Sequence, residues 1–177
     1  MPEADEHRCA GKPACYHIAQ FNVARAKADV DNRQMHGFVR ELGHINELAD
    51  HSPGFVWRLK TEAGHAIEIR PYEDRLILVT LSVWETIDDL FTFSYRGEHA
   101  HLLRQRKQWF SEVEGSYIVL WWIPAGAIPT VEEGKQKLQL LRRQGPSATA
   151  FTFSERYPLP VQPIRIGVED AAGTRGR

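Results

Sequence analysis

Two stretches of this chain are apolar on both sides of an extended strand, and that constrains the fold more than any other feature. In residues 76–84 (LILVTLSVW) one side carries Ile77, Val79, Leu81 and Val83, and the other carries Leu76, Leu78, Thr80, Ser82 and Trp84. In residues 117–123 (YIVLWWI) both sides are apolar. A sheet with one wet face alternates more cleanly than this. A sheet built on these strands therefore needs cover on both faces.

The remaining elements follow from periodicity and breakers. Residues 16–23 (YHIAQFNV) alternate as a strand, and Asp31 with Gln34 has the spacing of a capping box before a helix whose apolar stripe is Met35, Phe38, Val39, Leu42, Ile45 and Ala49. Ser52-Pro53-Gly54 stops that helix. Residues 55–60 read as a strand, and 65–70 as a short strand pairing back on it. After Trp84 a helical region runs to Phe110, with a break expected near Gly97. A closing helix starts at Thr130, which has capping-box spacing to Glu133, and stops at Gly145-Pro146. The order predicts an α+β fold of the ferredoxin-like βαββαβ kind, with an antiparallel sheet covered by helices on one face and an extra C-terminal helix. The second apolar face is then assigned to a second copy of the same sheet, giving a homodimer. The alternative is a monomer whose loops and tail cover that face. Residues 16–153 form the single domain, with a loose leader at 1–15 and a largely disordered tail at 154–177.

One stripe on the helical region after Trp84 is unusual. Phe91, Tyr95, His99, Leu102, Arg106 and Trp109 recur at three- and four-residue steps. A core-facing stripe is wholly apolar, yet this one carries a phenol, an imidazole and a guanidinium that need partners if buried. The alternative is an amphipathic helix with Tyr and Arg at its edge and a histidine satisfied in the core. Asn46 is a similar polar interruption in the first helical stripe.

The net charge is −1 with acids and bases interspersed, which argues against a nucleic-acid or membrane-surface partner. No apolar run approaches the roughly 18 residues of a bilayer span, and the acidic, polar start is not a signal peptide, so a cytoplasmic location is expected. His7, Cys9, Cys15 and His17 can be drawn as a zinc site. The cysteine spacing is wider than zinc sites use, so no metal is expected.

The segments HIAQFNVAR (17–25), SPGFVWRL (52–59), LSVWET (81–86), YRGEHAHLLRQRKQWF (95–110), LWWIPAG (120–126), PTVEEG (129–134) and LLRRQGPSATAFTF (140–153) carry a resemblance. The chain resembles an uncharacterised bacterial family of the dimeric α+β barrel superfamily, related in pattern to the antibiotic-biosynthesis monooxygenases. The resemblance implies a cavity between sheet and helices. It also implies a strand ending in Trp (Trp84) followed by a helix carrying His (His99). Where relatives tend to have His after LWWxPAG, this chain has Ala127.

The expected activity is that of a cofactor-independent small-molecule enzyme, monooxygenase-like or cyclase/isomerase-like, acting on a flat hydrophobic substrate. His99 serves as acid/base, Tyr95 shares or relays the proton, and Arg106 neutralises an oxyanion. Asn46, Trp57, Trp84, Arg96, Trp109 and Trp121 form the substrate-binding set. Two other readings stand beside this one. The first is haem binding through His99, with His101 a weaker ligand and Arg96, Arg104 or Arg106 on the propionates. The second is a non-catalytic ligand-binding dimer in which the Tyr–His–Arg stripe is a structural network.

Overall fold

The computed structural model describes residues 16–160, apart from the side chains of His101 and Leu102. The leader at 1–15, including His7, Cys9 and Cys15 of the drawn zinc pattern, and residues 161–177 lie outside the described residues.

Five strands form one antiparallel sheet that curls into a half-barrel. Strand β1 (Tyr16–Ala26) is its centre. On one side β1 pairs with β3 (Ile77–Trp84), and β2 (Phe55–Arg58) lies outside β3. On the other side β1 pairs with β5 (Ile118–Pro124) along most of its length and with the two-residue β4 (Phe110–Ser111) at its end. Side chains alternate between faces along each strand, so the odd-numbered and even-numbered residues of β1, β3 and β5 form two distinct surfaces.

The odd surface carries Phe21, Val83, Val119 and Trp121, all essentially inaccessible to water. Helix α4 (Val131–Gln144) covers it with Leu138 and Leu141, and Leu59, Ile69 and Tyr72 from the long β2–β3 connection pack beside them. The cover that the sequence assigns to a second sheet is therefore supplied on this face by the chain itself. Helices occupy both faces of the sheet, not one as expected. The segment 65–70 is not a strand. It runs through turns closed by Thr61 N–H to His65 C=O (2.9 Å) and Ile69 N–H to Ala66 C=O (3.0 Å), and its apolar residues are divided, Ile69 packing on the odd surface while Ala66 and Ile67 reach the cavity described below.

The even surface faces helix α1 (His36–Asp50), α2 (Ile87–Arg96) and α3 (Glu98–Gln105). A 3-10 turn (Arg33–Met35) leads into α1, and its cap is Asn32, which accepts from Gln34 N–H, one residue later than the expected Asp31. Thr86 caps α2 by accepting from Asp89 N–H at 3.1 Å. The helical region after Trp84 does break at Gly97, which is extended (φ −103°, ψ −162°), so the long stripe is divided between α2, α3 and a second 3-10 turn (Arg106–Gln108).

The capping box at the start of α4 is half realised. Thr130 accepts from Glu133 N–H, while the Glu133 carboxylate accepts the Trp121 indole N–H at 2.8 Å and so ties α4 to β5. Gly145 ends α4 in the left-handed region (φ 76°), donating to Leu141 C=O. Beyond it Phe151 makes two backbone hydrogen bonds with Leu120 and is fully buried. Residues 154–160, which the sequence assigns to the tail, follow the core as far as Tyr157. The Trp122 indole donates to Tyr157 C=O (3.0 Å), and Tyr157 O–H donates to Pro146 C=O (3.1 Å).

Candidate functional site

Between the even surface and helices α1–α3 lies a cavity of about 500 Å3. Its floor is polar in the middle of an otherwise apolar sheet. In the β1–β3 register Gln20 stands opposite Ser82, and Asn22 stands opposite Thr80. The hydrogen bonds there fix one another's direction. The Trp84 indole N–H, which can only donate, gives its proton to Ser82 Oγ at 3.0 Å. Ser82 then spends its own hydrogen on Gln20 Oε1 at 2.9 Å. That orients the Gln20 amide, whose NH2 has no partner among the described residues. The Oδ1 of Asn22 is shut away from water without a partner, which leaves its NH2 as the group it can offer to the cavity.

One wall is a column of rings. Trp84 stacks on Phe93 (5.0 Å between centroids, 30° between planes), and Phe93 stacks on His99 (4.8 Å, 24°). Phe55 meets Trp84 edge-on at 5.3 Å. Such a wall accepts a flat ligand.

His99 sits on the first turn of α3, where Nδ1 lies 3.2 Å from Ser94 C=O at the end of α2. A carbonyl can only accept, so Nδ1 carries the hydrogen. Burial pushes the imidazole pKa below its usual 6.5, with the Ser94 carbonyl opposing in part. At neutral pH the ring is therefore neutral, with the lone pair on Nε2.

The electrostatics of the cavity are one-sided. Arg58, Arg104 and Arg106 line it, and among the described residues no aspartate or glutamate does. Arg58 is committed, through a two-pronged pair with Asp50 (2.7 and 3.0 Å) and a bond to Gly64 C=O (2.8 Å). Arg106 is not. Its guanidinium lies 4.6 Å over the Tyr117 ring and has no carboxylate partner among the described residues. Tyr95 lines the same cavity. Burial raises its pKa above 10, with Tyr117 adding and Arg106 opposing, so its phenol stays protonated.

The candidate residues divide. His99, Tyr95, Arg106, Asn46 and Trp84 line the large cavity, with Asn46 Nδ2 also reaching Gly64 C=O at 3.5 Å. Trp109, packed against Phe38, lines only a smaller adjoining space. Trp57 and Trp121 belong to the odd surface, as strand alternation requires, and do not line the cavity. Arg96 ends α2 exposed, 5.7 Å over the Phe91 ring, and also lies off it. Sequence reasoning missed Gln20, Asn22, Thr80, Ser82 and Phe93. The strand segments carried a signal for the first four, which stand at even positions of the two strands and meet once those strands are paired. Among the described residues no cluster of three or more His, Cys, Asp or Glu can hold a metal, and no helix is long and apolar enough to cross a membrane.

The family described as a domain of unknown function, DUF3291, matches residues 17–165. The chain belongs to this family. No curated protein and no solved structure matches it. In this DUF3291 domain the match takes in the described elements from the second residue of β1 onward, so the cavity and its floor lie wholly within it.

Proposed function

We propose that this chain is a cofactor-independent enzyme that removes a proton from a flat, hydrophobic substrate bearing an acidic, phenolic or enolisable oxygen group. One observation carries the reading: a neutral imidazole and a guanidinium without a carboxylate partner line one cavity, and among the described residues no carboxylate lines it. His99 Nε2 takes the proton, and the electron pair it leaves moves onto the substrate oxygen. Arg106 holds that oxyanion, assisted by the amide NH2 of Gln20. Fixed donors of this kind stabilise developing charge strongly where water is excluded. Burial disfavours the imidazolium, so His99 readily returns the proton. Return to a different atom of the same molecule gives isomerisation or cyclisation. Reaction of the anion with dioxygen gives monooxygenation, with one oxygen atom in the product, the other leaving as water, and the substrate supplying the electrons. The strand order, with β1 and β3 central and β2 and β5 outside, supports the ferredoxin-like reading and kinship with the antibiotic-biosynthesis monooxygenases. Helix α4 occupies the face where two sheets would meet, so a homodimer in this reading forms through another surface.

Two measurements test it. Tryptophan fluorescence should report binding of 1-hydroxy-2-naphthoate, and Arg106→Gln should weaken it about tenfold or more, the worth of one charge-assisted hydrogen bond. Uptake of deuterium from D2O by 2-tetralone should be accelerated by the protein and not by His99→Gln. Binding indifferent to Arg106→Gln, or exchange indifferent to His99→Gln, overturns the assignment.

A second reading has its own support. A histidine that ligates a metal usually donates its other ring N–H to a carbonyl or carboxylate, and His99 makes such a bond to Ser94. Arg104 and Arg106 suit propionates. A sharp Soret band on adding haemin, lost in His99→Ala, would replace the cofactor-free reading with haem binding.

A further inference from the structure

The large cavity adjoins a second space of about 190 Å3. The two share walls: His99 and Arg106, which the proposed chemistry uses, line both together with Asn22, Thr80 and Tyr117, whereas Gln20 lines only the larger. Beyond this junction the spaces differ. The smaller one alone is lined by Ala24, Trp109 and Phe110, and Phe38, which lines both, meets Phe110 edge-on at 5.0 Å. At that end Trp109 is buried against Gly37, where an added methyl group would stand 3.2 Å from the indole. Engineered apolar cavities of about 150 Å3 take up a benzene ring, so the smaller space is large enough for one phenyl group. Among the described residues the one carboxylate lining either space is Glu41, in the smaller, about two-fifths exposed and 3.8 Å from Arg40. A negative ligand group is therefore disfavoured at that end and favoured beside Arg106.

We infer that the ligand of this site is two-lobed: a central enolisable or anionic oxygen group at the His99–Arg106 junction, one flat lobe on the Trp84–Phe93 wall, and a second, uncharged ring-sized lobe in the pocket closed by Trp109 and Phe110. This rests on the site reading above and adds the ligand's shape and orientation to it. The 1,3-diketones fit the description, since their central carbon carries the acidic hydrogen and each end can carry an aryl group.

The probes are benzoylacetone, with one aryl lobe, and dibenzoylmethane, with two. Both absorb in the near ultraviolet, and the enolate absorbs at longer wavelength than the enol, so binding beside Arg106 is read as a red shift without any turnover. The full chain should bind dibenzoylmethane about tenfold more tightly than benzoylacetone, a modest return for one buried ring. Filling the side pocket with Ala24→Leu should bring that ratio close to one. Gly37→Ala, which drives the Trp109 indole inward, should lower it from the opposite wall. If benzoylacetone binds with a red shift and the ratio is already near one, or is untouched by both variants, the two-lobed shape is wrong and the site reading survives. If neither diketone shows a red shift, or the shift is indifferent to Arg106→Gln, both fall together.

Discussion

At the scale of single residues, His99 is held in a state that costs the protein stability in acid. Its folded pKa lies below the unfolded 6.5, so between the two values the unfolded chain binds more protons than the folded one. Stability tied to this group is complete above pH 6.5 and is lost as pH falls through the lowered folded value. Replacing it by phenylalanine keeps the stack on Phe93 and removes the titration. The Ser94 carbonyl loses its donor, but that cost is constant with pH. In urea titrations from pH 5 to 8, His99→Phe should become more stable relative to the unaltered protein as the medium is acidified, and should show a flat offset above pH 6.5. An offset that does not change with pH would mean that the ring titrates as it does in water and is not desolvated at the cavity wall. Gln20 shows the same logic without charge. A glutamine only 8% exposed in a central strand is tolerable because Trp84 and Ser82 fix its carbonyl side. The NH2 that remains is what the cavity can use.

Among the elements, α1 and α3 both line the cavity, and a polar contact joins them at their solvent edge, His44 Nε2 to Glu98 Oε2 at 2.9 Å. The Glu98 carboxylate raises the His44 pKa above 6.5, chiefly through that hydrogen bond. Here the sign is opposite to that of His99. The contact is fully formed below pH 6.5 and is lost as pH rises through the raised value. Because both partners are exposed, salt should weaken it as well. Hydrogen exchange of the α3 amides, corrected for the intrinsic rate, should therefore show protection falling between neutral and mildly alkaline pH, and Glu98→Gln should abolish that trend. If protection keeps its pH dependence in Glu98→Gln, α3 is not secured through His44. The helices also mark the limit of what was legible in the sequence. Helix α1, strands β1, β2, β3 and β5 and the break at Gly97 follow from apolar spacing and breakers, which are local. Tyr95, His99 and Arg106, which line the cavity, stand out in the sequence because polar groups on an apolar stripe violate a local rule. Trp57 and Trp121 lie on the odd surface and do not line the cavity, which local sequence does not reveal because an aromatic residue looks the same whether its strand turns it to the cavity or to α4. The partner that settles Trp121 is Glu133, 12 residues away on another element. Gln20, Asn22, Thr80 and Ser82 become a site only when β1 and β3 are in register, and register is a property of pairs of strands.

For the whole molecule, the decisive question is what covers the odd surface of the sheet. The sequence required cover there and offered two candidates, a second copy of the sheet or the chain's own segments. In the fold α4 lies on that surface, and Gly134 marks the contact: a Cβ there would stand 2.6 Å from the ring of Phe21, which is completely buried. This makes the sign of one substitution informative. On a helix free in solvent, glycine to alanine stabilises by about 1 kcal/mol through propensity alone. Against the Phe21 ring the added methyl group overpacks a closed core, which typically costs about 1–3 kcal/mol, and the larger part of that range outweighs the propensity gain. Gly134→Ala should therefore lower the urea midpoint, by a net cost on the order of 1 kcal/mol. A face-to-face homodimer of sheets would require α4 to leave this surface and Gly134 to face water, and the same substitution would then raise the midpoint and make it depend on protein concentration. The two arrangements thus predict opposite signs from one methyl group. A lowered midpoint, independent of concentration, would mean that the odd surface is closed within one chain, leaving the curled sheet's other face and its cavity as the side open to ligands.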